Sequence, residues 1–381
     1  MDDLNISVIF TGDFSPCGRF ESIAMSERGS IFGDLVKNIS ASDLSFVNLE
    51  SPLCSSGKPI NKSGPNLKAH PDCINALVGA GFDIVGLANN HIMDYGQEGL
   101  EETLLNCKKK SISVCGASFN IKQAREAAVV ERKGLKVAIV AVAEHEFSIA
   151  EVKKPGAAPL NHIDNSRQIK ALRDEADLVF ITIHGGNEYF PYPRPGLRQT
   201  CQFYVEQGAD AVICHHAHVP GAYEFHQGKP IVYSLGNLLF DHPAPPDGWT
   251  RGYALRLEYS TETKKLIDHE IIPYTQSIDQ GGVVMMQEKE REDFLEVLSG
   301  YGRTLADPEE YAKEWSTFCA SKEAFVLLKM FVPFQFRGLG KLNKFFPITK
   351  LFLPQSSIAA RKNLIQCESH RELILEILSK K

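Results

Sequence analysis

LVFITIHGGNEYFPYPRPGLRQTCQFYVEQGADAVICHHAHV, residues 178–219, reads as one strand–helix–strand unit with polar side chains behind each strand. Leu178–Ile183 and Ala211–Cys214 are short runs rich in Val, Ile and Phe, which favours buried strands over helix cores. Between them, Gly196–Gly208 sets Leu197, Cys201, Tyr204 and Val205 at i, i+4, i+7 and i+8. That is one face of an amphipathic helix, and Gly208 stops it. His184 and Glu188 follow the first strand. His215, His216 and His218 follow the second.

The same alternation extends in both directions. Further strands are expected at Ile6–Phe10, Leu44–Leu49, Ile84–Ala88, Lys136–Val142 and Ile231–Leu235. Tyr253–Tyr259 and His269–Ile272 alternate as antiparallel strands do. Strands alternating with helices predict an α/β domain. Past Gln276 the composition changes, and residues 285–330 read as helical, rich in Glu, Leu and Lys. The Gly281-Gly282 pair therefore marks the expected boundary between a domain over 1–280 and a helical, basic-aromatic extension over 281–381. No internal repeat or low-complexity run interrupts either.

The chain has 381 residues, 43% hydrophobic and 23% charged, as an ordinary globular protein does. Its formal charge of −6 gives no global footprint for nucleic acid, which needs a basic surplus. MDDLNISVIF carries acids where a signal peptide carries bases, and its apolar stretch is too short for an h-region or a spanning helix. The expected location is cytoplasmic, with peripheral contact at the inner face of the membrane as an extension of that reading. Nine cysteines without a C-x-x-C pair argue against a disulfide framework and against a zinc ribbon. Reduced, mostly buried thiols are expected.

The chemistry gathers at predicted strand ends, where open α/β sheets bind ligands because the loops diverge there. T-G-D-F brings Asp13, and N-L-E brings Asn48 and Glu50. N-N-H-I-M-D-Y-G brings Asn89, Asn90, His91 and Asp94. H-G-G-N-E and H-H-A-H complete the set. Carboxylates, amide oxygens and imidazoles are what hard or borderline divalent metals take as ligands. Three imidazoles within four residues are costly to bury without a ligand.

With Y-S-L-G-N at 233–237, these motifs in this order resemble the CapA family of capsule and poly-γ-glutamate biosynthesis, a branch of the calcineurin-like metallophosphoesterases. The resemblance covers about Ile6–Asp241. It implies a four-layer α/β/β/α sandwich and two divalent ions, with Mn, Fe and Zn all open. Asp13, Glu50 (as the bridging carboxylate), Asn90, His184, His216 and His218 would be the metal ligands. His91 would be the general acid, oriented by Asp94. Asn48, Asn89, Glu188, His215, Ser234 and Asn237 are candidates for binding substrate, and Arg194 and Arg198 for clamping its anionic group. The implied activity is metal-dependent hydrolysis of a phosphate ester, on a small anionic substrate or polymer precursor. The alternatives are an accessory subunit of polymer synthesis and a metal-stabilised binding protein. Some positions depart from the family pattern. Ser15 stands where phosphoesterases have a histidine, Glu50 replaces Asp, and Cys214, Ala217 and Gly185 replace Gly, Pro and Trp.

Residues 322–362 hold eight Lys/Arg, one acid and seven Phe. Such a segment suits either an interfacial membrane contact or a helical cap whose Lys heads snorkel outward. Pro333, Pro347 and Pro354 exclude a spanning helix.

Overall fold

The apolar runs of the sequence become the strands of two facing sheets in the computed structural model. It describes residues 4–26, 30–277, 279, 281–332, 336, 338–353, 358, 361–362 and 365. The first strands are β1 (Asn5–Ser15), β2 (Leu44–Leu49), β3 (Ile84–Gly86), β4 (Ser113–Cys115), β5 (Ala117–Ser118), β6 (Ala128–Arg132), β7 (Leu135–Ala143) and β8 (Gly156–Ala157). The rest are β9 (Leu178–His184), β10 (Ala211–His215), β11 (Tyr223–His226), β12 (Lys229–Val232), β13 (Asn237–Phe240), β14 (Arg251–Ser260), β15 (Leu266–Ser277) and β16 (Gly282–Met285).

One sheet runs β16-β15-β14-β1-β2-β3-β4, with β13 also pairing β1. It is parallel from β1 to β4 and antiparallel from β1 out to β16. The second runs β11-β12-β10-β9-β7-β6, parallel through its four middle strands. Parallel neighbours need crossovers. The helices are α1 (Glu21–Ser26), α2 (Leu35–Ala41), α3 (Ile74–Ala80), α4 (Gly96–Lys109), α5 (Ile121–Ala124), α6 (His162–Arg173), α7 (Pro195–Glu206) and α8 (Glu288–Ala306). The α6 and α7 helices pack on β9 and β10, and α4 packs on β4. Between the sheets, the Phe10 ring stands 5.4 Å from Phe180, which lies 5.5 Å from Tyr259. The result is the α/β/β/α sandwich that the resemblance implied. Strands covered on both faces read as continuous apolar runs, which is why β9 and β10 were legible.

Two local expectations change. β1 continues to Ser15, so Asp13 lies inside the strand rather than just past it. The extension comes from β13, which pairs with Asp13, Phe14 and Ser15 while the register shifts beside Asp13. Gly12 permits this approach, because a Cβ there would stand 2.0 Å from the Gly236 carbonyl oxygen. The run expected over Ile231–Leu235 ends as a strand at Val232, and Tyr233–Gly236 turns into β13.

By its contacts the chain divides into Met1–Pro308 and Glu309–Lys381, later than the compositional change near Gly281. The reason is α8, whose Phe294 and Leu298 join the main core, with the Phe294 ring 6.1 Å from Tyr253. The second unit contains α9 (Pro308–Phe331), α10 (Leu339–Phe345) and α11 (Ile348–Phe352). Leu328, Val332 and Leu339 form its small core, with Ile348 and Phe352 against it. Phe325, Phe336, Phe345 and Phe346 are exposed. Pro333, Phe334, Arg337 and Pro354 lie outside the described residues. Among those described, no helix is long and apolar enough to cross a membrane. The eight described cysteines are all free, six of them buried, as composition suggested.

Candidate metal centre

Strand ends from both sheets meet at one edge of the sandwich. β1 supplies Asp13, and the residue after β2 is Glu50. The loop after β3 supplies Asn90, His91 and Asp94. β9 ends in His184, and the turn after β10 carries His216 and His218. Asp13 and Glu50 are fully buried, and the three histidines nearly so.

Two groups of ligand atoms form there. Those of Glu50, His184 and His216 lie within 4.8 Å of one another, and so do those of Asp13, Glu50 and His218. Glu50 belongs to both. In the first group His184 Nε2 stands 3.1 Å from His216 Nδ1, 3.1 Å from Asn90 Oδ1 and 3.5 Å from Glu50 Oε1. Asn90 is thus a fourth donor. In the second, His218 Nε2 is 3.6 Å from Glu50 Oε1 and its Nδ1 is 3.7 Å from Asp13 Oδ2. Ser15, where the resemblance implied a missing imidazole, is fully buried with its Oγ 3.2 Å from Cys17 Sγ. The second group therefore has one donor fewer.

Local backbone geometry sends the two histidines to separate groups. His216 and His218 hold φ of 92° and 60°, a left-handed region that non-glycine residues enter at a cost. The His216 amide donates to Asp13 Oδ2 at 3.0 Å, tying the turn to β1. His218 Nδ1 lies 2.9 Å from Asn237 Oδ1, and its ring packs 4.7 Å from Trp249. Donating Nδ1–H to Asn237 leaves the Nε2 lone pair facing Glu50.

The electrostatics also suit a cation. Burial, and then the charge of His216, push His184 well below its ordinary pKa. Burial lowers His218 to about 4 against the pull of Asp13. Both rings are therefore neutral near pH 7, with lone pairs to give. Burial would raise Asp13, but the hydrogen bond and charge of His215, with the charges of His184 and His218, hold it below the carboxylate range. Burial, and then Asp13 and Glu188, push Glu50 well above that range. Neither oxygen of Glu50 accepts a hydrogen bond from the described residues. A buried carboxylate so placed is costly unless a cation meets it, and divalent ions fit this donor set.

Beside the first group, His91 Nδ1 stands 2.6 Å from Asp94 Oδ2. The Asp94 carboxylate also pairs with Lys62, whose side chain is only 2% exposed.

The expected substrate-binding residues fare differently. Asn48 donates to Asp13 Oδ1 at 2.7 Å and lies 3.3 Å from His184 Nδ1. Asn89 donates to the Leu49 carbonyl and accepts from the His91 amide. Ser234 accepts from the Gly236 amide, and Asn237 holds His218. His215 sits 3.2 Å behind Asp13 Oδ1. All five are buried with other groups of the chain as their neighbours, and Asn48, His215 and Asn237 brace the ligands Asp13 and His218. Arg194 and Arg198 are not poised as an anion clamp either, since Glu144 and Glu224 hold their guanidinium groups. Glu188 is exposed. Gly185, where the resemblance implies Trp, leaves room for Glu144, whose Cγ a Cβ would meet at 2.5 Å.

Two residues at the centre escaped the sequence reading. Glu146, 3.6 Å from His216 Nε2, follows β7 just as the candidate ligands follow or end their strands, so the same rule would have found it. Lys62 sits in an irregular loop that no period or motif marks.

Residues 7–242 match the family model described as Bacterial capsule synthesis protein PGA_cap. The capsule biosynthesis protein CapA of Bacillus anthracis is 31% identical over 257 residues, 65% of this chain and 61% of its own length. The PGA biosynthesis protein CapA of Bacillus subtilis strain 168 is 30% identical over 257 residues, 66% of each chain. The alignments thus span just under two thirds of these curated relatives. Among solved structures, a novel phosphatase of Mycoplasma pneumoniae aligns with TM-score 0.48 and 16% identity, over 71% of this chain and 94% of that one.

Proposed function

The chain belongs to the family of bacterial capsule synthesis proteins, and from that premise we propose that it is a metal-dependent hydrolase of a phosphate ester. The observation that carries the proposal is Glu50, one buried carboxylate common to two ligand groups. Asp13, Glu50 and His218 would hold one divalent ion. Glu50, Asn90, His184 and His216 would hold the other. When bound, such a pair supplies Lewis acidity and a nucleophile available at neutral pH.

The remaining steps fall to the chain's own side chains. Asp94 accepts Nδ1–H from His91 and fixes its tautomer, so that Nε2 is the atom left to exchange a proton. His91 then protonates the leaving oxygen, which makes it the general acid. Lys62 offsets the Asp94 charge and holds the carboxylate in place. The names of the two Bacillus relatives support an ester that arises in capsule or poly-γ-glutamate biosynthesis. A second reading is an accessory protein that binds metal without hydrolysis, since neither name states a hydrolase.

Elemental analysis of the purified protein, with a phosphoester panel assayed under Mn, Fe and Zn, tests both readings. Hydrolysis that follows metal content supports the first. Bound metal with no hydrolysis of any ester favours the accessory role, and no bound metal removes both.

A further inference from the structure

The segment just after β7 touches the centre at several points and has no role in the scheme above. Glu146 Oε2 accepts from Asn90 Nδ2 at 3.3 Å, and Glu146 Oε1 stands 3.6 Å from His216 Nε2. Ser148 Oγ donates to the Asn90 carbonyl at 2.8 Å and lies 3.4 Å from the Met93 amide. The Glu144 amide donates to the His184 carbonyl at 3.0 Å. Residues 144–148, the segment that follows β7, thus brace the asparagine–histidine loop that follows β3.

We propose that Glu146 is a positioning residue that orients Asn90 and His216 for one metal position only, the one shared by Glu50, Asn90, His184 and His216. An amide has two ends, and an ion takes only the oxygen. Holding Asn90 Nδ2 on a carboxylate turns Oδ1 inward, where it already lies 3.1 Å from His184 Nε2. An imidazole likewise has two nitrogens. His216 Nδ1 faces His184, so Nε2–H is the end left for Glu146, and a carboxylate at that end fixes the tautomer and raises the basicity of the other nitrogen. The 3.6 Å separation is longer than a hydrogen bond and closes with a small rotation of a side chain that is 35% exposed. Asp13 and His218, on the other position, take their support from Asn48, His215 and Asn237 instead.

The inference rests on the metal reading, and calorimetric titration of the metal-stripped full chain with Co²⁺, alongside visible absorption, separates the two. Wild type is expected to take two ions. Glu146→Ala should weaken one of them about ten- to a hundredfold and leave the other unchanged. Glu146→Gln should restore part of the loss, because its amide oxygen accepts one of the two bonds. The melting temperature of the metal-free variants should match wild type, and at saturating Co²⁺ the absorption bands should keep their positions, since the atoms bound to the ion are the same. Unchanged affinity for both ions, equal weakening of both, or displaced bands (a direct ligand) would each overturn the positioning role. A wild type that takes no ion would remove the metal reading itself, and this inference with it.

Discussion

Glu50 carries more than any other residue, because two ligand groups share it. Glu50→Ala is therefore expected to lose both metal ions, whereas His218→Asn should lose one, as read by elemental analysis after gel filtration. The ionisation of these side chains sets the pH behaviour of the metal-free protein. His218 is held near 4 in the fold against about 6.5 unfolded, and His184 moves the same way. As pH falls from about 6.5 toward 4, the unfolded chain takes up protons that the fold refuses. Stability present above that window should be lost within it, and the urea midpoint of chelator-treated protein should fall with it. His218→Asn should flatten this slope. Glu50 acts in the opposite sense. Its raised pKa favours the fold below the unfolded value and loses that effect as pH rises through the folded one. Asp13, His184, His216 and His218 were readable as candidates because each comes directly after a recognisable apolar run, although β1 itself continues past Asp13. The bracing role of Asn48, His215 and Asn237 was not, because polar residues at a strand end look alike whether they face a cavity or a neighbour.

Elements bring those residues together through close backbone packing. Gly12 lets β13 lie on β1, and Gly12→Ala, with its Cβ 2.0 Å from a carbonyl oxygen, should cost about 3 kcal/mol in chemical denaturation. α8 read as the start of an extension because its surface is rich in Glu and Lys. Its few apolar anchors decide otherwise, and Phe294→Ala should destabilise the first unit by about 3–5 kcal/mol. In the second unit, Lys329 lies 4.9 Å over the Phe325 ring, and Phe345 is 81% exposed. Exposed rings beside lysines are expected to retain the chain on anionic vesicles at low salt and release it at high salt, as sedimentation would read.

On the scale of the whole molecule, an ion that binds only the fold stabilises it by mass action, by about 2.7 kcal/mol at a hundred times its dissociation constant. The melting temperature should rise with added divalent metal and fall with chelator. Binding should also release protons, because burial and then the charge of Asp13 shift Glu50 toward its protonated form, and a bound cation draws it toward the charged one. Calorimetry in buffers of different ionisation enthalpy would read that release. The sequence by itself determined the α/β alternation, the order of the strand-end motifs and the types of ligand, since strand period and side-chain chemistry are local properties. Only the tertiary structure decided that Asn48, His215 and Asn237 back Asp13 and His218, that Arg194 and Arg198 are spent on Glu144 and Glu224, and that Lys62 stands at the centre. These are distances between segments far apart in the chain, fixed by how the two sheets pack, and no local pattern encodes them.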